Sequence, residues 1–132
     1  MNPLSVLLIN LRNKTTNSVA QHLAATAPEL NLTPISRLDQ ASNQLPLRIW
    51  DAVLLDMDLR DEYALETIAG IRDIRPNLPI MLLAETHEHT AASRALMAGA
   101  DDYVIKGRNN DDIVQQLSQL TYTSAPRVTI AG

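Results

Sequence analysis

The chain of 132 residues has no cysteine, no phenylalanine, one tryptophan and three tyrosines. Without thiols there is no disulfide, thiolate zinc site, iron–sulfur cluster or cysteine nucleophile. The absence fits a reducing compartment. So few aromatic side chains leave little for stacking nucleic-acid bases. The 15 acidic residues outnumber the 11 basic ones, giving a formal charge of −4. That balance offers no phosphate-binding surface, and no nucleic-acid partner is expected of this domain itself. No apolar run approaches the roughly 20 residues of a membrane helix, so no membrane partner is expected either. Met1–Ile9 is too short for a signal-peptide core, and Arg12 and Lys14 follow it rather than precede it. The expected location is cytoplasmic. Glycine is equally scarce. The first of four is Gly70, so no glycine-rich phosphate loop can follow an early strand. Acid is missing locally too: residues 1–28 contain no Asp or Glu, and the first is Glu29.

What is present is a series of short, continuous apolar runs: Leu4–Ile9, Ala52–Leu55, Ile80–Leu83 and Tyr103–Ile105. Runs of this kind predict strands buried on both faces of a parallel sheet. A weaker strand fits Leu32–Ile35, and Pro34 assigns it to an edge. Helical spacing recurs in Val19, Leu23 and Ala27, in Leu65, Ile68 and Ile71, in Ala92, Ala95, Leu96 and Gly99, and in Ile113, Leu117 and Leu120. A short helix is expected around Asp39–Leu45, stopped by Pro46. Thr90 and Asn109 or Asn110 are candidate N-caps, with Asp111 and Asp112 suited to a first turn. The order βαβαβαβαβα predicts an α/β fold, a doubly wound (βα)5 sandwich. Its five-stranded parallel sheet should have the flavodoxin-like order 2-1-3-4-5. The domain is expected over residues 1–120, with 121–132 as a linker or C-terminal tail containing Pro126.

In such sheets chemistry gathers at the carboxyl ends of the strands. There the sequence places Asn10, Leu11 and Arg12 after the first run, and Asp56, Met57 and Asp58 after the third. Ala84 and Glu85 follow the fourth, and Lys106 the fifth. A carboxylate and an ammonium on one rim can pair or share an anion. Glu85–His89 (ETHEH) holds potential metal donors. Its His-x-His spacing does not put both imidazoles on one helix face, so a solvated loop is expected. His22 falls in a helical pattern and is expected at the surface.

The segments DAVLLDMDL (51–59), RPNLPIMLLA (75–84) and ALMAGADDYVIK (95–106) resemble a response-regulator receiver domain, the CheY-like module of two-component and phosphorelay signalling. The resemblance covers about residues 4–120. It implies that Asp56 is the phosphoacceptor and that Lys106 contacts the acyl phosphate. Ala84 takes the place of the Thr or Ser that reads a phosphoryl oxygen, Tyr103 is the switch aromatic, and the Asp58 backbone carbonyl is a Mg²⁺ ligand. It also implies a departure. The acidic pair after the first strand is Asn10 and Leu11 here, so Leu11 cannot ligate, and Mg²⁺ binding is expected to be weak or absent. Arg12 is a candidate cation substitute beside Asp56, against the plainer reading of a solvated loop arginine. Ala84 has no hydroxyl, and Glu85 adds a carboxylate where the family has a small residue. Arg60, Ala64 and Gly107 replace the family's usual Pro, Gly and Pro.

Three functional readings follow. In the first choice, the chain is an atypical receiver acting as a regulatory protein-interaction or dimerisation module, with phosphorylation at Asp56 weak or absent. In the second, it is a conventional receiver phosphorylated on Asp56 by a histidine kinase. The third is a diverged flavodoxin-like binder or enzyme. No enzyme is expected beyond slow self-phosphorylation or dephosphorylation at Asp56. The implied partners are a histidine kinase, another signalling protein or a covalently following output domain. A homodimer is an alternative, through the fourth helix, fifth strand and fifth helix at about His89–Leu120.

Overall fold

A computed structural model of the chain describes residues 4–11, 30–106 and 111–124. The first expected helix (Val19, Leu23, Ala27), His22, the caps Asn109 and Asn110, Gly107, Arg12 and the tail from 125 lie outside the described residues.

The described residues form five strands: β1 Leu4–Asn10, β2 Leu30–Ile35, β3 Ala52–Asp56, β4 Ile80–Ala84 and β5 Asp102–Ile105. They form one sheet of order β2-β1-β3-β4-β5. Every pairing is parallel. This is the predicted order, and Pro34 lies on the edge strand where its missing N–H costs least. The strands alternate between two cores, as a period of two requires. Leu7, Ile9, Val53, Leu55, Ile80 and Leu82 face one side. Val6, Leu8, Leu54, Met81, Leu83 and Val104 face the other. Both faces are buried, which is why these runs are apolar at every position.

Among the described residues four α-helices cover the faces: α1 Leu38–Gln44, α2 Tyr63–Ile74, α3 His89–Met97 and α4 Asp111–Ser124. Ala41 of α1, Ile68 and Ile71 of α2, and Ala92 and Ala95 of α3 join the first core. Ile113 and Leu117 of α4 join the second, with Leu120 packed against it.

Several boundaries differ from those expected. Leu65 is exposed, and Ala64 and Thr67 complete the buried stripe of α2 instead. Gly99 is not on a helix face; it follows α3 with φ +130°, where a side chain would be strained. Thr90 is not a cap, because α3 begins one residue earlier, after a 3₁₀ turn at Thr86–Glu88. The last helix continues through Ser124, four residues into the expected tail.

Candidate functional site

The carboxyl ends of β1, β3, β4 and β5 bring Asn10, Asp56, Ala84 and Ile105 to one rim. The register pairs Asn10 with Asp56 and Ala84 with Ile105. Two backbone bonds carry the ladder one residue further: the Leu11 N–H donates to the Asp56 carbonyl at 2.8 Å, and the Lys106 N–H to the Ala84 carbonyl at 2.9 Å. Leu11 and Lys106 are therefore held in place by the sheet itself. The Leu11 side chain packs against the first core. Asn10 is 5 % exposed and Asp56 2 %.

A carboxylate this deep needs a counter-charge or donors to offset its lost hydration. Lys106 supplies one. Its Nζ lies 3.1 Å from Oδ1 and 3.2 Å from Oδ2 of Asp56. The same Nζ lies 3.1 Å from Oε2 of Glu85. The sequence-level pairing of Asp56 with Lys106 is thus formed, and Glu85 joins it.

Glu85 is held by its own turn. Its side chain accepts the Glu88 N–H, and the Glu88 side chain accepts the Glu85 N–H at 2.7 Å, a reciprocal capping box over the 3₁₀ turn. Glu88 also accepts the Leu59 N–H at 3.0 Å, from the loop after β3. It is fully buried. Thr86, His87 and His89 are exposed, as a solvated segment requires, but Glu88 is not, and its carboxylate joins the β3–α2 and β4–α3 connections. The E-x-x-E spacing of Glu85 and Glu88 was a legible signal of this turn. The Glu88 contact with Leu59 spans 29 residues and had no local signal.

Asp58 pairs with Arg60. It accepts Arg60 Nε on Oδ1 and Arg60 Nη2 on Oδ2, each at 3.0 Å, and the Arg60 backbone N–H. The Arg60 guanidinium holds the Asp58 carboxyl far below the usual carboxylate range. Burial opposes this, and contacts with the Arg60 backbone and the Glu88 side chain reinforce it. The Asp58 carbonyl accepts the Asp61 N–H at 3.0 Å. Tyr103 is half-buried, and its hydroxyl meets Nδ1 of exposed His89 at 3.2 Å with the rings edge to face. His87 is exposed on the 3₁₀ turn, and no group of three or more metal-ligating side chains occurs among the described residues.

A doubly wound parallel sheet of this order, with helices on both faces, is the CheY-like form of the flavodoxin-like fold. The chain belongs to the response regulator receiver domain family, whose model matches residues 6–118. It is 31 % identical over 97 residues to the phosphate regulon transcriptional regulatory protein PhoB of Rhizobium meliloti, covering 71 % of this chain and 42 % of that protein. It is 29 % identical over 68 residues to the cell cycle transcriptional regulator CtrA of Caulobacter vibrioides, covering 52 % of this chain and 29 % of that one. The chain thus spans less than half the length of these relatives. Among solved structures it resembles the receiver domain of NtrX from Brucella abortus (TM-score 0.75, 21 % identity, 90 % of this chain and 99 % of that one). It also resembles the receiver domain of the sensor histidine kinase PA1611 from Pseudomonas aeruginosa (TM-score 0.74, 20 % identity, 91 % and 98 %), a structure with magnesium in its active-site cleft. Receiver domains are signalling modules of two-component systems. No described helix is long and apolar enough to cross a membrane.

Proposed function

We propose that this chain is an atypical receiver that regulates through protein contacts, with phosphorylation of Asp56 weak or absent. The observation that carries the reading is the register at the rim. Asn10 stands opposite Asp56, and the next residue, Leu11, turns its side chain into the core. The place from which the family's direct metal ligand would act holds a hydrocarbon.

The donor set fits Mg²⁺ poorly. This cation takes octahedral oxygen ligands and depends on one or two carboxylates. Asp56 would be the carboxylate at the end of a rim strand, and both its oxygens already face Lys106. The Asp58 carbonyl remains available only beside an existing hydrogen bond. Ala84 offers no hydroxyl to a phosphoryl oxygen. Asp56 and Lys106 themselves favour the second reading, a conventional phosphoacceptor, since their geometry is that of an acceptor and its phosphate contact.

The partners proposed are a histidine kinase or other signalling protein, or an output domain covalently joined to this one. A homodimer through α3, β5 and α4 is the alternative. Half-buried Tyr103 and Met97, 90 % exposed, lie on this side. The cytoplasm is the proposed location.

The test is exposure of the full chain to acetyl phosphate and, separately, to beryllofluoride, with millimolar Mg²⁺. The expected result is no adduct in the wild type and gain of binding in Leu11→Asp, alone or with Asn10→Asp. A wild-type mass gain that disappears in Asp56→Ala would establish the conventional reading instead.

A further inference from the structure

We infer that Glu85 is a built-in competitor for the phosphate contact of Lys106: its carboxylate pairs with the ammonium that a phosphoryl oxygen on Asp56 would contact. The inference deepens the reading of Asp56 and Lys106 as a phosphoacceptor pair and rests on it.

A lysine ammonium has three N–H groups and no more. Three carboxylate oxygens lie within 3.2 Å of the Lys106 Nζ, two from Asp56 and one from Glu85. The two Asp56 oxygens belong to one carboxylate and share one N–H direction, and Glu85 takes a second. A phosphoryl group on Asp56 brings new anionic oxygens toward the same ammonium. With Glu85 in place they share that ammonium with a second carboxylate, which offsets part of its charge.

Glu85 is also hard to displace. The reciprocal capping box with Glu88 fixes its backbone and gives its side chain a second anchor. Glu88 is in turn buried and tied to Leu59. Rotating Glu85 away therefore costs the side chain's contact with the Glu88 N–H, which also donates to the Glu85 carbonyl at 2.9 Å, as well as an ion pair. Lys106 is 16 % exposed and Glu85 39 %, so the pair is only partly screened by water. Charge acts in the same direction. The carboxylates of Asp56 and Glu85 both meet the single ammonium of Lys106, while Arg60 is engaged by Asp58. An incoming phosphodonor meets an excess of negative charge, to which Glu85 contributes.

The test uses the full chain as wild type, Leu11→Asp, Glu85→Gln and the double variant. Beryllofluoride is titrated with Mg²⁺ present, followed by the amide signals of Ala84 and Lys106. The expected result is that Glu85→Gln tightens binding about two- to fivefold within the Leu11→Asp background, the range of a partly exposed ion pair. Acetyl phosphate labelling should accelerate by a similar factor. There an Asp56 carboxylate oxygen attacks phosphorus, the bond from phosphorus to the acetyl oxygen breaks, and acetate leaves with the electron pair. Equal affinity with and without Glu85 overturns the inference. If Leu11→Asp creates no binding at all, the missing-ligand reading has failed by itself. Glu85 is then judged with inorganic phosphate and no metal. Glu85→Gln should show shifts at Ala84 and Lys106 that the wild type lacks and that Lys106→Met abolishes; no such gain overturns the inference. Glu85→Ala serves if the Gln variant melts early. A gain in Ala with none in a folded Gln variant would mean that bulk, not charge, blocks the site, and would likewise overturn the inference.

Discussion

At the scale of single residues, the pairing of Asp56 with Lys106 dominates. A carboxylate 2 % exposed cannot lose its cation cheaply. Lys106→Ala is expected to lower stability by about 1–3 kcal/mol at neutral pH, less than for a fully buried pair because Lys106 reaches solvent. Asp56→Asn should recover much of that loss in the double variant. Urea denaturation of the four chains of this cycle measures both. The Asp58–Arg60 pair makes the contrast. Both partners are substantially exposed, so Arg60→Ala should cost much less stability than Lys106→Ala. The sign follows from the depressed Asp58 carboxyl. Its contribution is full above the ordinary carboxylate range of about 4 and is lost as pH falls through the lower folded value. In Arg60→Ala the Asp58 carboxyl should titrate nearer the ordinary range, read by NMR of its carboxyl carbon.

At the scale of elements, the connections decide more than the strands and helices. The 3₁₀ turn is held by Glu88, which accepts from Glu85 and from Leu59 across two loops. Glu88→Ala leaves two backbone donors without their acceptor and opens a void. About 2 kcal/mol of destabilisation is expected, with faster hydrogen exchange at the Leu59 and Glu85 amides. Glu88→Gln keeps an acceptor and should cost less. The α3–β5 connection turns on Gly99. A Cβ there would meet Ile68 and Arg72 only at 3.6–3.8 Å, ordinary contact distances. The cost of Gly99→Ala is thus backbone strain at φ +130°, about 1–3 kcal/mol in thermal or chemical denaturation. The Gly99 carbonyl accepts from Arg72, which also binds Asp101, so the glycine sits at a junction of α2, α3 and β5.

At the scale of the whole molecule, binding a cation to the folded state alone raises stability by mass action. The wild type should therefore show no shift in melting temperature on adding 10 mM Mg²⁺, a concentration of about 10⁻² M chosen to saturate a millimolar site. Leu11→Asp begins less stable, because Leu11 packs on the core, but should gain about 1 kcal/mol with Mg²⁺, visible as a rise of a few degrees. A wild type that gains as much would remove the basis for an atypical receiver. The same scale carries the regulatory face. Sedimentation at rising concentration tests self-association through α3, β5 and α4, and Met97→Glu should weaken any dimer formed there.

The sequence by itself determined the sheet, its order and the two cores. Strands buried on both faces must be apolar at every position, and Pro34 can stand only at an edge. It also determined that Asp56 and Lys106 share a rim, because each directly ends or follows a strand whose place in the order was known. Only the tertiary structure decided what those groups touch. Glu85 lies one residue past β4 and Lys106 one past β5, neighbours in the sheet but 21 residues apart in the chain. Glu88 looked like part of a charged, solvated run because burial of a carboxylate depends on donors supplied from elsewhere, here Leu59. Leu65 looked like core because local spacing cannot say which turn of a helix meets the sheet. Apolar periodicity is a local property. The partners of a charge are set by how strands from distant parts of the chain come side by side.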